Sequence, residues 1–172
     1  PATSTPYAYL NAEGKPSDAM FGYVANGLFG RDIDLATSNP QSFGAYQNGD
    51  IAYQDLNGDK VVNEFDQRSL SNSFPRIHLG IDVNLSYKGF GLYVLGTSSL
   101  GFSNWLNTSY FWNSGEEKYS NAVLDRYHEV NNPTGEYPRL TTTSGSNNFR
   151  NSSYWLEKGD FFKIKNVELS YT

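Results

Sequence analysis

The stretch that decides the fold is Pro75-Arg-Ile-His-Leu-Gly-Ile-Asp-Val-Asn-Leu-Ser-Tyr87. Apolar side chains recur at every second residue, which is the period of one face of a β-strand; a helix would mix the apolar and polar sets. The apolar set is Ile77, Leu79, Ile81, Val83, Leu85 and Tyr87, and the other set is Arg76, His78, Gly80, Asp82, Asn84 and Ser86. The pattern predicts one long strand with an apolar face and a polar face.

The length of this strand bears on the class of protein. Strands in soluble domains run about 5–6 residues, whereas a tilted strand needs about 9–11 residues to cross a membrane. Long strands with one buried face also occur in soluble sandwiches and lipocalin-like barrels. Alternation alone therefore leaves a transmembrane barrel and a soluble sheet as equal alternatives.

Further strands are predicted on both sides of this stretch. Lys88-Gly89 is a tight connection to a second strand that begins at Phe90, which is a hairpin signal. A third strand is predicted over Phe161–Thr172, where the apolar phase slips by one residue near Lys165-Asn166. The slip indicates a bulge or a strand that extends past the apolar zone. A shorter, fourth strand is predicted at Gly49–Tyr53.

Long polar stretches separate the strands. Residues 101–153 are rich in Asn, Ser, Thr and Gly, with a short helical turn predicted within Glu116–Val130. A loop of this length counts against a compact soluble domain. It is ordinary in an outer-membrane barrel, where one side has short turns and the other has long loops.

Composition excludes several classes of protein. The 172 residues carry 13 Lys and Arg against 18 Asp and Glu, for a net charge of -5, so we expect no nucleic-acid partner. Cysteine is absent, which excludes a disulfide framework, a zinc-thiolate site and a thiol nucleophile within this sequence. No apolar run approaches the roughly 20 residues of a spanning helix.

A candidate metal loop lies between Asp55 and Asp66. Its oxygen-bearing side chains have the spacing of a twelve-residue calcium loop, in which position 7 donates a backbone carbonyl. The predicted ligands are Asp55, Asn57, Asp59, Val61 (through its carbonyl), Asn63 and Asp66. Lys60 stands where the EF-hand loop needs glycine, and position 12 is Asp rather than Glu. We predict a structural Ca²⁺ here, and the alternative is a solvated acidic turn built on Asn-Gly-Asp.

Catalytic motifs are missing from the sequence. It has no G-x-S-x-G elbow, no H-E-x-x-H and no P-loop lysine pattern. A glycosidase needs two facing carboxylates, and nothing in the sequence pairs any of its glutamates. We therefore expect that the protein is not an enzyme, and we expect no organic cofactor.

Aromatic residues in the long polar segment are candidate ligand-binding residues. Trp105, Tyr110 and Trp112 lie beside several Asn and Thr residues, and aromatic faces with nearby amides suit sugar rings. A membrane-interface girdle or a loop core explains the same residues, and this structural role is the favoured alternative.

The order of several short motifs along the chain is more informative than any single motif, and it resembles the pattern of a known family. The series is Gly22-Tyr23, Gly27-Leu-Phe29, Gly49-Asp-Ile-Ala-Tyr-Gln-Asp-Leu-Asn-Gly-Asp59, Phe74-Pro75, Tyr87-Lys-Gly-Phe90, Asp125-Arg-Tyr127, Asn131-Asn-Pro133, Tyr137-Pro-Arg-Leu140, Ser152-Ser-Tyr-Trp155 and Phe162-Lys-Ile-Lys-Asn-Val-Glu-Leu-Ser-Tyr171. It resembles the C-terminal third of the SusC/RagA family of TonB-dependent outer-membrane transporters, from about Gly22 to Thr172. Lys60, where the family usually has Gly, and Tyr127, where Trp is common, depart from its pattern.

The resemblance implies the fold class, the function and the partners. The fold would be all-β, with antiparallel strands forming part of a large transmembrane β-barrel of about 22 strands with long extracellular loops and a plug in its lumen. Residues 1–172 would be a fragment of that barrel, without the plug domain and the last strands. The family imports oligosaccharides or peptides across the bacterial outer membrane, with a SusD-like surface lipoprotein as lid and TonB acting through the plug.

The alternation of loops between the two sides of a barrel predicts which side of the membrane each loop occupies. If the tight Lys88-Gly89 turn faces the periplasm, residues 54–74 and 101–153 lie outside the cell, because successive loops alternate sides. The apolar set from Ile77 to Leu85 would contact outer-membrane lipid, and the alternate side chains would face the lumen. The alternative function is a soluble, calcium-stabilised cell-surface β domain that binds glycans.

Overall fold

The protein is all-β in the computed structural model, which describes residues 7–115, 118–141 and 147–172. Its strands are β1 (Ala19–Tyr23), β2 (Ala25–Leu28), β3 (Ile51–Tyr53), β4 (Gln67–Asn72), β5 (Ile77–Tyr87), β6 (Phe90–Leu100), β7 (Ser103–Trp105), β8 (Leu156–Lys158) and β9 (Phe161–Tyr171). The helices in these ranges are short 3₁₀ turns at Ala8–Leu10, Asn121–Asp125 and Ser153–Trp155. The all-β, antiparallel prediction is confirmed.

The chain divides into two compact units. We call Pro1–Leu70 with Trp105–Leu156 the loop unit, and Ser71–Asn104 with Glu157–Thr172 the strand unit. The loop unit holds most of the buried side chains, and the strand unit holds the long strands.

The strand unit is built on a three-stranded antiparallel sheet in the order β5-β6-β9. β5 and β6 pair over their whole length, from Tyr87 opposite Phe90 to Ile77 opposite Leu100. The turn between them has positive φ at both Lys88 (47°) and Gly89 (84°), which a two-residue type I′ turn requires. The predicted hairpin is confirmed.

A bulge interrupts the pairing of β6 with β9. Leu95 pairs with Asn166 and Gly96 with Ile164, so Lys165 is the extra residue on β9. The bulge moves Ile164 and Val167 onto the same face of the sheet although they are three residues apart. The phase slip in the sequence is therefore explained, and the predicted bulge is confirmed.

The sheet of the strand unit is open. β5 and β9 each pair on one edge only among the described residues, and three strands do not close on themselves. Within the described ranges there is no barrel, so the large transmembrane barrel stays a proposal.

The loop unit has its own core, in which β2 pairs with β3. Ile51 and Leu28 lie opposite each other in that ladder, and both are fully buried. Aromatic residues supply much of the core, whose members are Tyr23, Leu28, Phe43, Ile51, Tyr53, Val62, Val123, Tyr127, Tyr137 and Trp155. The fourth predicted strand is confirmed over Ile51–Tyr53.

The helical turn predicted within Glu116–Val130 is a single 3₁₀ turn at Asn121–Asp125, in the part of that range the structure describes. It ends there because the Tyr127 amide donates to the Tyr137 carbonyl at 2.7 Å rather than to its own helix. Val130, at the end of the predicted range, lies outside this turn and is 82% exposed.

Candidate functional site

The apolar face of the strand unit is continuous across all three strands. Each apolar residue of β5 pairs with a residue of β6, and most of those β6 residues pair in turn with a residue of β9. The paired residues lie on the same face and form rows across the sheet. The rows are Leu79–Ser98–Phe162, Ile81–Gly96–Ile164, Val83–Val94–Val167, Leu85–Leu92–Leu169 and Tyr87–Phe90–Tyr171. On β5 and β9 these side chains are 41–74% exposed, and no described residue covers them.

The dimensions of this face suit a bilayer. The ten steps from Ile77 to Tyr87 span about 33 Å along the strand at about 3.3 Å per residue, or about 23 Å of membrane thickness at a tilt of about 45°. The apolar band of outer-membrane barrels is about 25 Å tall, with aromatic girdles. Phe90 and Tyr171 pack with ring centroids 4.7 Å apart beside the turn, at the expected level of a girdle.

The opposite face of the same sheet is polar. Its rows are His78–Ser99–Phe161, Gly80–Thr97–Lys163, Asp82–Leu95–Asn166, Asn84–Tyr93–Glu168 and Ser86–Gly91–Ser170. His78 Nδ1 lies 3.0 Å from Ser99 Oγ, so this face carries its own hydrogen bonds between neighbouring strands. One sheet thus presents an apolar surface on one side and a hydrogen-bonding surface on the other.

In the Asp55–Asp66 loop, Asp66 is fully buried and its side chain bonds to backbone amides at both ends of the loop. One of its carboxylate oxygens accepts from the Leu56 amide at 2.7 Å, and the other accepts from the Asn63 amide at 2.8 Å. Asp55 caps the turn, because its two oxygens accept from the amides of Gly58 and Lys60. The loop is therefore closed by the chain's own hydrogen bonds.

Lys60 adopts a left-handed backbone conformation, with φ of 66°. This is the position where the calcium loop normally has glycine, whose lack of a Cβ makes that conformation free of steric cost. The loop thus keeps the turn that the motif demands, at a cost that glycine would not incur.

The remaining predicted ligands converge on one point. Asp59 Oδ2 lies 2.9 Å from Asn57 Nδ2 and 3.4 Å from Asn63 Nδ2, and Asn63 Nδ2 lies 3.4 Å from the Val61 carbonyl oxygen. The Asn57 hydrogen bond, followed by that of the Val61 amide, lowers the pKa of Asp59, so its carboxylate is ionised at neutral pH. The side-chain oxygens of Asn57 and Asn63 accept from the amides of Asp59 and Phe65, each at 2.8 Å. Among the described residues no three Asp, Glu or His side chains are grouped as a metal centre.

The predicted ligand-binding aromatics are in different settings. Trp112 stacks on Phe149 at 5.8 Å and meets Trp155 edge-on at 6.4 Å, so it is part of the loop unit's aromatic packing. Tyr110 is 51% exposed and packs edge-on to Phe111, while Trp105 is half-buried at the end of β7. Tyr110 is the one of the three with an exposed ring.

Sequence reasoning missed a buried ion pair in the loop unit. Asp50 is 1% exposed, and its carboxylate lies 2.8 Å from Arg139 Nε and 3.0 Å from Arg139 Nη2. Asn148 Nδ2 and the Gln47 amide also donate to Asp50, each at 2.8 Å. Both residues lie in the motif series, but they are 89 positions apart and nothing in one sequence pairs them.

Side-chain amides next to this pair cap the free edge of β3. Asn148 Oδ1 accepts from the Ile51 amide at 2.9 Å, and Gln41 Oε1 accepts from the Tyr53 amide at 2.6 Å. Gln41 Nε2 and Asn147 Nδ2 both donate to the Ile51 carbonyl. An uncapped edge would leave buried backbone groups unsatisfied, so these amides take the place of a further strand.

A sequence comparison connects this geometry with known proteins. The chain is 32% identical over 125 residues to TonB-dependent receptor P26 of Formosa agariphila. The alignment covers 72% of this chain but spans only 12% of the relative's length. No protein-family model matches the chain. The chain is therefore related to TonB-dependent receptors, and the all-β sheet with an uncovered apolar face is consistent with that relation.

None of the helices in the described ranges is long and apolar enough to cross a membrane.

Proposed function

We propose that this chain forms part of the wall and the extracellular loops of a TonB-dependent transporter in the bacterial outer membrane. The observation that carries the proposal is the apolar face of β5, β6 and β9, which runs the length of 11-residue strands and whose side chains on β5 and β9 are 41–74% exposed. A monomeric soluble protein rarely exposes a continuous apolar patch of more than about 300–600 Å². Hydrocarbon is the partner whose thickness matches the height of this face.

The finer assignment is to the SusC/RagA family, and it is supported by the ordered motifs. In that assignment the transporter imports oligosaccharides or peptides, a SusD-like surface lipoprotein closes over the barrel, and TonB acts through a plug. The polar face that contains Asp82 and Asn84 lines the lumen, and residues 54–74 and 101–153 lie outside the cell. The chain performs no bond-making chemistry, because a transporter wall needs only to bind, exclude and guide.

Membrane extraction tests the proposed location. The full-length protein should fractionate with outer membranes, require detergent for release, and run faster on a gel before heating than after, because a folded barrel resists unfolding by detergent. Release by salt or alkaline carbonate alone, as a monomer in plain buffer, would contradict the proposal and would support a soluble glycan-binding domain.

We propose in addition that the Asp55–Asp66 loop holds a structural Ca²⁺, with Asn57, Asp59, Val61 and Asn63 around it. The convergence of these four groups supports the proposal, whereas the hydrogen bonds of Asp55 and Asp66 already close the loop without an ion.

Proteolysis measures the contribution of the ion. Ca²⁺ should slow cleavage of the loop in the full-length protein, chelation should reverse the effect, and Asp59→Ala should abolish it, because Asp59 contributes the carboxylate at the point of convergence. Asp34→Ala, in an exposed turn elsewhere in the loop unit, is the control. Equal cleavage with Ca²⁺ and with chelator would show a plain acidic turn.

A further inference from the structure

The loop unit contains a cavity of about 580 Å³ that none of the predicted sites includes. Three segments line it: Gln47-Asn48, residues 126–130, and Arg139-Leu140, with Leu35 beside them. Its volume falls within the range of about 300–1,000 Å³ that is usual for small-molecule sites. Arg126 and His128 are exposed at its rim, so the cavity is accessible from solvent.

The base of the cavity is rigid. Gly49 has φ of 89°, and a Cβ at this position would lie 2.7 Å from Tyr127 Cδ1 and 3.0 Å from Arg139 Cβ. The backbone of residue 49 is therefore packed directly against both side chains. Arg139 is in turn held by buried Asp50, and the Tyr127 amide is bonded to Tyr137. These contacts join three segments of the chain at the base of the cavity.

The rim at His128 is also fixed. The His128 amide donates to the Asn132 carbonyl at 3.0 Å, and the Asn132 amide donates to the His128 carbonyl at 2.9 Å. These two hydrogen bonds close a tight turn. His128 Nδ1 accepts from the amides of Val130 and Asn131. Because Nδ1 is an acceptor, the ring of neutral His128 carries its proton on Nε2 and keeps that N–H to donate to a ligand.

The hydrogen-bonding capacity left in the cavity consists mainly of donors. The side chain of Arg126 has no hydrogen-bond partner among the described residues. The guanidinium of Arg139 donates to Asp50 through Nη2 and places Nε 2.8 Å from the same carboxylate, which leaves Nη1. Glu129 is the acidic lining residue, and one of its oxygens already accepts from Asn48 Nδ2 at 2.8 Å. A complementary ligand therefore brings an anionic acceptor for Arg126 and a neutral donor for the other Glu129 oxygen.

We propose that this cavity binds a carboxylate group flanked by hydrogen-bond donors, with the carboxylate on Arg126 and His128 and a neighbouring hydroxyl or N–H on Glu129. Guanidinium groups pair with carboxylates through two parallel hydrogen bonds, which gives direction as well as charge. A uronic acid unit of an oligosaccharide and an acidic peptide both present this chemistry. That the ligand is imported cargo rests on the proposed function, whereas its binding to the loop unit does not.

Calorimetric titration of the full-length protein in detergent tests the site. The probes are digalacturonate, its neutral counterpart digalactose, and the dipeptide Asp-Ser. Digalacturonate or Asp-Ser should bind at least about tenfold more tightly than digalactose, because a hydrogen bond to a charged group contributes about 1.5–3 kcal/mol and 1.4 kcal/mol is a factor of ten. Binding of digalacturonate alone identifies a saccharide site, binding of Asp-Ser alone identifies a peptide site, and binding of both identifies the carboxylate as the shared determinant.

Matched variants locate the binding. Arg126→Ala should weaken the binding of the acidic probe at least about tenfold, while Arg68→Ala, which removes the same charge from an exposed position outside the cavity, should leave it unchanged. Affinity for digalactose as high as that for the acidic probes, no binding of either acidic probe at millimolar concentration, or equal effects of the two variants would each overturn the inference. None of these outcomes bears on membrane extraction, so failure here is distinguishable from failure of the proposed function.

Discussion

Replacement of Arg139 by alanine is expected to open the capped edge of β3. Asp50 would be left as an unpaired charge that is 1% exposed, and the loss of one partner of a buried ion pair costs about 3–5 kcal/mol. The charge would then draw in water or a proton, and the Asn148 amide that binds both Asp50 and Ile51 would lose its anchor. The effect should spread from Arg139 to the edge of the β2–β3 sheet.

Hydrogen exchange of the full-length protein measures this effect. The amides of Ile51 and Tyr53 should exchange at least about a hundredfold faster in Arg139→Ala, since 1.4 kcal/mol corresponds to a factor of ten and local opening controls exchange. Arg31→Ala is the control, because its pair with Asp32 is partly exposed and such pairs contribute about 0–1 kcal/mol. Similar exchange rates in the two variants would show that the buried pair does not hold the β3 edge.

Ile81→Arg is the second substitution with a large expected effect. Ile81 lies near the middle of β5, is 54% exposed, and has Gly96 and Ile164 as its neighbours on the apolar face. If this face contacts lipid, a charge at this depth should destabilise the folded barrel by about 2–4 kcal/mol. The measurement is the fraction of full-length protein that folds into lipid vesicles across a urea series.

Asn84→Arg is the matched control for Ile81→Arg. It introduces the same side chain into the same strand, on the polar face opposite Tyr93. Substitutions that face the lumen meet water, so Asn84→Arg should fold nearly as well as the unmodified protein. If Asn84→Arg lost as much folding as Ile81→Arg, the assignment of the apolar face to lipid and the polar face to the lumen would be wrong.

The strands could be predicted from the sequence because their signals are local. Period-2 alternation from Ile77 to Tyr87 reports the face of each side chain directly, and Lys88-Gly89 supplies the positive φ angles of the turn. The slip at Lys165 was visible as a shift of phase within one strand. None of these inferences required contacts between distant parts of the chain.

The packing of the loop unit could not be predicted because it depends on distant partners. Nothing local in the sequence pairs Asp50 with Arg139, and their ion pair exists only because the fold brings the two residues together. For Trp112 the sequence left a sugar platform and the favoured structural role open, because its packing partners, Phe149 and Trp155, are far along the chain. The cavity at Arg126 is likewise assembled from three separate segments.

The central claim is that alternate side chains of β5 contact hydrocarbon, and spin-label accessibility measures it most directly. This sequence has no cysteine, so single cysteines at positions 78–85 can each carry one nitroxide in the full-length protein reconstituted in lipid. We predict that oxygen, which concentrates in lipid, reaches labels at Leu79, Ile81, Val83 and Leu85, and that a water-soluble nickel chelate reaches labels at the positions between them. Equal access of the nickel chelate to all eight positions, without alternation, would contradict the account.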